Sequence, residues 1–381
     1  MTRRAIPTAR PNASHVSRFS DLERLPLEKS AKSVKAPRRR TPPRIAPSTM
    51  ADVAATAGVS TASVSRVLNA PEKVSAELRT RVEAAVEKLA YVRHGSARAL
   101  AARRFQTIGA VVPTLGVATF ATGIDALQER LESQGFSLLV ACAHYDPEAE
   151  ARQIRKLLEH GIDGLVLVGQ QRRPEIYNRL DAAGIPYACT YTLASQSGLC
   201  VGYDNADASR RMVDYLVQLG HRRFCLITSP TDNNDRIAAR FAGALSVISQ
   251  ANLPAPEVVE APYAVSEGRA ALRSALDRDP RITAVVCTTD LHALGAVAEA
   301  RVLGLPVPSR LSITGYDDLE IVAEIDPPLT TVHVPSREIG LRVADMLMAT
   351  IIGRPTTQVV ELSASIVVRG STARAPDLGA K

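Results

Sequence analysis

The sequence predicts an α/β protein: a three-helix unit near the N-terminus, set before a two-lobed domain built on parallel sheets. Three observations carry this. Between Thr49 and Ala90, apolar residues recur at helical spacing in three short segments. From Thr107 onward, aliphatic strand-like runs alternate with amphipathic helical stretches, and repeated βα units build parallel sheets through right-handed crossovers. The strands so read outnumber what one sheet comfortably holds, which implies two lobes with a cleft between them. A chain of 381 residues is long enough for such a division.

Residues 1–48 come first and are rich in Arg, Lys, Pro and Ser, as in Lys35-Ala36-Pro37-Arg38-Arg39-Arg40-Thr41-Pro42-Pro43-Arg44. They read as a disordered basic arm. Extra phosphate contact, a plain tail and a misassigned translation start all stay open for it. Residues 49–92 form the helical unit. Thr49-Met50-Ala51-Asp52 resembles a capping box, with Asp where Glu or Gln is usual. A helix is expected over 51–57, and Gly58 supplies the turn. Ser60 then caps a second helix with Val64, Val67 and Leu68 on its buried face, and a third runs from Ser75 to about Ala90. Residues 93–105 are a basic linker, 106–370 the α/β domain and 371–381 a C-terminal tail. Within the domain, strands are expected at 108–112, 136–142, 165–168, 185–190, 224–228, 256–261, 284–288 and 311–315. Helices are expected between them, near 119–134, 147–160, 174–183, 205–219, 235–251, 266–278 and 291–303.

Charge divides the chain in the same way. The formal charge of +7 combines +13 on the first 105 residues with −6 on the rest. One end therefore suits a polyanion while the bulk does something else. Hydrophobic residues make up 46% and aromatic residues 4%, and no apolar run of about 18 residues is present that would span a membrane. Arg3, Arg4 and Arg10 are not followed by an apolar stretch, unlike a secretory leader, so a soluble, cytoplasmic protein is expected. Cys142, Cys189, Cys200, Cys225 and Cys287 are widely spaced and read as buried free thiols. Enzyme chemistry finds little support. The chain lacks G-x-x-x-x-G-K-S/T, G-x-G-x-x-G after a strand, H-E-x-x-H and G-x-S-x-G, and its histidines have no partners at metal-ligand spacing. Neither a metal nor a cofactor is expected.

The densest signal runs from Asp52 to Asn69 and reads D-V-A-A-T-A-G-V-S-T-A-S-V-S-R-V-L-N. It has the build of a helix-turn-helix, whose second helix projects short polar residues and one arginine. The stretch resembles the lactose-repressor/galactose-repressor family, whose headpieces carry the pattern D-V-A-x-x-A-G-V-S-x-x-T-V-S-R-V-L-N, and the resemblance extends over about residues 49–370. It implies a sequence-specific regulator, a repressor by default, acting on double-stranded, near-palindromic operator DNA. It places Thr61, Ala62 and Arg66 at base edges in the major groove, Arg66 being suited to a bidentate pair with guanine and Ala62 to apolar contact. Ser60, Ser65 and Asn69 would hold phosphates, and Thr49 and Lys73 would add backbone contacts. The stretch Arg93–Arg103 looks like the family's hinge helix, with Leu100 matching the residue that wedges into the minor groove. Two hinges side by side imply a homodimer. A tetramer stays open, although 369–381 holds no leucine heptads.

The α/β domain resembles the periplasmic sugar-binding proteins, as the family's effector domains do. Matching landmarks include Val201-Gly202-Tyr203-Asp204-Asn205, Arg240-Phe241-Ala242-Gly243, Thr288-Thr289-Asp290 and Gly315-Tyr316-Asp317-Asp318. The resemblance implies that Arg240 and Asp290 face the cleft and hydrogen-bond a small sugar or sugar acid, with Tyr263 stacked on it and Phe120 as a further aromatic contact. Asp317 and Asp318 would be structural, serving the region between the lobes. The loop Pro113–Phe120 lacks the Asn-Pro-Phe-Phe of many relatives and slightly resembles the gluconate-repressor branch. Two other classes compete: a sugar-binding transport protein, which the α/β domain alone would suit, and an α/β enzyme.

Overall fold

The computed structural model describes residues 48–92, 104–194 and 198–377. The chain divides into two compact units, Met1–Arg93 and His94–Lys381. The basic arm up to residue 47, most of the linker with Leu100, and the end of the tail lie outside the described residues.

The first unit holds α1 (Met50–Ala57), α2 (Thr61–Asn69) and α3 (Ala76–Lys88), with a 3₁₀ turn at Pro71–Lys73. A hydroxyl sets the start of each helix. The Asp52 N–H donates to Thr49 Oγ1 (3.3 Å) while the Thr49 N–H donates to the Asp52 carboxylate (2.8 Å), which completes the capping box. Ser60 accepts from the Ser63 N–H and Ser75 from the Leu78 N–H. Gly58 ends α1 at φ +64°, a left-handed backbone that a Cβ disfavours. Arg81 of α3 reaches back to donate to the carbonyls of Ala57 (2.6 Å) and Gly58 (3.2 Å), occupying acceptors the helix leaves open. Val53, Ala57, Val64, Val67 and Val82 close the core, each valine contributing about 1.5–3 kcal/mol by full burial.

The second unit has two lobes. In the first, β1 (Thr107–Val112), β2 (Ser137–Cys142), β3 (Gly164–Val168), β4 (Tyr187–Thr190) and β5 (Cys200–Gly202) are joined through α4 (Ala118–Glu132), α5 (Pro147–His160) and α6 (Pro174–Ala182). The chain then builds the second lobe from α7 (Asn205–Gln218), β6 (Phe224–Thr228), α8 (Asp235–Gln250), β7 (Glu257–Glu260), α9 (Val265–Arg278), β8 (Ala284–Cys287), α10 (Asp290–Val302) and β9 (Ser312–Thr314). It returns through β10 (Thr331–His333), α11 (Ser336–Ile351), β11 (Val359–Glu361) and β12 (Ser365–Val367).

The sheet orders are β11-β5-β4-β3-β1-β2 and β7-β6-β8-β9, with all neighbours parallel, and β10 pairs antiparallel with β12. Strands β3, β4, β6 and β8 are buried throughout, as continuous apolar runs are when helices cover both faces of a parallel sheet. Because β1 lies between β2 and β3, and β6 between β7 and β8, each sheet reverses its winding beside its first strand. Ligand crevices open at the carboxyl ends of strands at such points.

Among the described residues the elements expected up to residue 315 are present, with ends shifted by at most two residues, and the hinge helix expected at 93–103 lies outside them. The segments β5, β10, α11, β11 and β12 were not expected. The strands among them are three residues long, too short to display a period of two. Helix α11 starts without a side-chain cap.

Candidate functional site

On α2, helical geometry places residues 61, 62, 65, 66 and 69 within an arc of about 140° at about 100° per residue. Val64 and Val67 point the other way, into the core. Thr61, Ala62, Arg66 and Asn69 are exposed and Ser65 is half-buried. The Arg66 guanidinium has no hydrogen-bond or ion-pair partner among the described residues. The neighbouring polar groups are already engaged: Asn69 Nδ2 donates to Ser65 Oγ (3.1 Å), and the Ser60 and Thr49 hydroxyls cap their helices. Lys73 is exposed on the 3₁₀ turn that follows α2.

In the second unit, side chains converge where strands of both lobes end. Phe120, Tyr145, Tyr191, Arg236, Arg240 and Asp317 are among the residues lining an inner compartment, with Tyr263 beside them. Arg240 is buried. Its Nε donates to Asn205 Oδ1 (3.0 Å), Nη1 to the Thr288 carbonyl (2.8 Å) and Nη2 to the Tyr203 hydroxyl (3.0 Å). The guanidinium lies 3.6 Å from the centre of the Tyr316 ring, and Nη1 is 3.6 Å from Asp317 Oδ1. Burial pushes the Asp317 carboxyl up to about 7, with the Arg240 guanidinium pulling it back. Asp317 also has φ +117°, a backbone conformation that non-glycine residues rarely adopt and that concentrates at functional sites. Tyr263 stacks on Tyr145 (centroids 5.5 Å apart), and Phe120 meets Tyr191 edge-on at 5.4 Å. Thr119 Oγ1 is buried there without a partner among the described residues.

Asp290 is not among the residues that line this compartment. Its Oδ1 accepts from the Thr331 hydroxyl (2.7 Å), its Oδ2 accepts from the Leu319 N–H (2.8 Å), and its own N–H donates to the Tyr316 carbonyl. Burial pushes its carboxyl up to about 6 against those two donors. Asp290 thus ties down the loop that carries Asp317, and Asp317 takes the position at the compartment. Asp318 does act structurally, accepting from Arg369 (2.7 Å) and lying 2.9 Å from His333 Nδ1.

The sequence points to no site role for Tyr145, Tyr191 or Arg236, and marks Tyr203, Asn205 and Tyr316 only as landmarks of the resemblance. A usable signal exists, because Tyr191 and Tyr203 directly follow β4 and β5 and Tyr316 stands two residues past β9. A larger groove of about 750 Å³ lies along α4 and α11. Much of its charge is held in ion pairs such as Arg130–Asp345 and Arg342–Glu338, so it presents little free chemistry.

Residues 49–94 match the model of the bacterial regulatory proteins of the lacI family, and residues 213–372 match a periplasmic binding protein-like domain. The HTH-type transcriptional regulator GntR of Escherichia coli (strain K12) is 30% identical over 308 residues, which is 80% of this chain and 92% of that protein. The HTH-type transcriptional regulator MalR of Streptomyces coelicolor is 33% identical over 341 residues, covering 86% and 97% of the two chains. Among solved structures, the Lac repressor dimer bound to operator and the anti-inducer ONPF superposes with a TM-score of 0.75 at 28% identity, covering 86% of this chain and 99% of that one.

Proposed function

Because this chain belongs to the lacI family of bacterial regulatory proteins, we propose that it is a homodimeric repressor that reads a near-palindromic operator through α2 and is governed by a sugar or sugar acid bound between the lobes. It is a DNA-binding transcriptional regulator and not an enzyme. The observation that carries the DNA half is the solvent-facing Arg66, which has no side-chain partner among the described residues and is flanked by Thr61 and Ala62 on a helix whose opposite face is core. Its planar fork matches the O6 and N7 of guanine. Ser65, Asn69 and Lys73 hold phosphates, Ser60 and Thr49 fix the helix ends that approach them, and Leu100 wedges into the minor groove. The protein works in the cytoplasm, where the operator is.

In the cleft, Arg240 and Asp317 bind the effector's polar groups while Tyr263 and Phe120 cover its apolar faces. Asp290 holds the Asp317 loop. An effector with different affinity for two lobe arrangements shifts the population between them, and that shift changes how two hinges meet on DNA.

Fluorescence anisotropy of the full-length protein on a selected operator tests the first half. Arg66→Ala is expected to lose about 1–3 kcal/mol of operator binding, and an unchanged footprint ends the assignment. For the second half, a sugar or sugar acid that raises the melting temperature must also shift operator affinity.

A further inference from the structure

Resting on the reading of the linker as a hinge that meets the operator, we propose that Asp163 is a positioning residue for DNA recognition: it clamps the chain where the linker enters the first lobe and so sets the direction in which the linker leaves it. Residues 104–107 carry the chain from the linker into β1. The Asp163 carboxylate accepts the Phe105 N–H at Oδ1 (2.9 Å) and the Thr107 N–H at Oδ2 (3.2 Å), and the Asp163 N–H donates to the Thr107 carbonyl (2.7 Å). One residue thus grips both sides of Gln106. Gln106 itself stands at φ +51°, a left-handed conformation that a side chain disfavours and that the flanking bonds hold in place.

Two further contacts fix the same stretch. The Phe105 ring packs over Gly161, which directly follows α5; at φ +79° a Cβ there would be strained and would run into the ring, so glycine is what admits it. Arg104 Nη2 donates to the carbonyl of Ile351 (3.1 Å), the last residue of α11, where a cation also suits the helix dipole. Asp163 directly precedes β3, so all three anchors belong to the first lobe.

The clamp does more than burial requires. Arg104 and Phe105 are exposed, Phe105 by 48%, and water alone would satisfy their backbone groups. What the carboxylate adds is direction, because charge-assisted bonds to two N–H groups two residues apart fix the course of the chain between them. Helix α11 connects this point to the passage between the lobes. It begins three residues after β10, along which the chain returns from the second lobe, and its last residue holds Arg104. Its 16 residues span about 24 Å at about 1.5 Å per residue. A shift of β10 against the first lobe therefore has a stiff path to the linker.

Fluorescence anisotropy of the full-length protein tests this on a selected operator, on the same operator with one base pair inserted at its centre, and on a shuffled duplex. Wild type is compared with Asp163→Ala, Asp163→Asn and Arg104→Ala. Two linkers held in a fixed direction need a fixed half-site spacing, so wild type is expected to bind the inserted operator about tenfold or more weakly than the intact one, about 1.4 kcal/mol. Asp163→Ala should bind the intact operator more weakly and narrow that ratio by about threefold or more. Asp163→Asn keeps one acceptor oxygen and should recover part of it, and Arg104→Ala, at an exposed position, should narrow it less. Affinity for the shuffled duplex should stay at the wild-type value, whereas a merely structural role would weaken all three duplexes together and lower the melting temperature. A ratio unmoved in every variant that keeps the wild-type melting temperature overturns the clamp and leaves the operator reading standing. If wild type binds the operator and the shuffled duplex alike, the operator reading itself fails.

Discussion

The exposed face of α2 and the inner compartment of the cleft each present an arginine, in opposite surroundings. Arg66 projects into solvent with its donors unengaged among the described residues. Arg240 is buried, with three hydrogen bonds, an aromatic face and a carboxylate fixing it. A donor that must read a DNA base has to be available, so the fold leaves it alone. A donor that must report a ligand gains from being tied to something that can move. Arg240 joins Tyr203, just after β5 in the first lobe, to Thr288, just after β8 in the second. A ligand that competes for its donors therefore acts directly on the contact between lobes.

The largest effect should separate these two arginines. Arg240→Ala removes a buried cation and leaves Asp317 without its charge partner, a class of change that costs about 3–5 kcal/mol. Arg66→Ala removes nothing the fold uses and should stay within about 0.5 kcal/mol of wild type. Denaturant unfolding of the full chain, followed by probes in each unit, measures both. Equal losses from the two substitutions would break the contrast.

A second test sharpens the cleft side through pH. Burial raises Asp317 to about 7 and Asp290 to about 6, against 3.8 for an unperturbed carboxyl. An acid whose folded pKa is raised holds its proton better folded than unfolded. The stability this provides is fully present below about 4 and is lost as pH climbs through the folded value. His221 and His292 are lowered by burial and slope the other way, but they are common to wild type and variant. Asp317→Asn should flatten the fall in melting temperature up to about pH 7, most visibly above about pH 6, where Asp290 has already ionised. Parallel profiles for variant and wild type would remove Asp317 from the buried set.

The two regions also differed in how legible they were. In the headpiece, local rules suffice: Thr49, Ser60 and Ser75 cap, Gly58 turns, and Val64 and Val67 set the buried stripe, all within a few residues of what they control. The cleft depends on distant partners. Asp290 and Asp317 both stand just past strand ends, and only the fold shows that Leu319 and Thr331, 29 and 41 residues from Asp290, occupy its oxygens. Nothing near Asp290 in the chain signals that. The seams near the C-terminus were hidden for another reason: β10, β11 and β12 have three residues each. Helix α11 does carry Ile339, Val343 and Leu347 at helical spacing, yet Pro335 at its N-cap position offers no hydroxyl start signal.

The smallest effect belongs to the headpiece and tests whether it is as local as it looks. Thr49→Ala deletes the hydroxyl that receives the Asp52 N–H and should cost about 1 kcal/mol. Thr49→Ser keeps that acceptor and should recover most of it. The Asp52 carboxyl is held below the usual carboxylate range chiefly by the Thr49 N–H, which survives the alanine change, and then by the hydroxyl, which does not. Its contribution is therefore present above the ordinary carboxylate pKa and fades as pH falls through the lowered folded value, at a somewhat higher pH in Thr49→Ala than in wild type. Native-state hydrogen exchange on the full chain reads the result amide by amide. Protection should fall in α1 and the helices packed on it, while β3, β4 and β8 keep theirs. Loss spreading into those strands would show that the headpiece and the effector unit unfold together, and the contrast between a locally specified reader and a globally specified sensor would have to be abandoned.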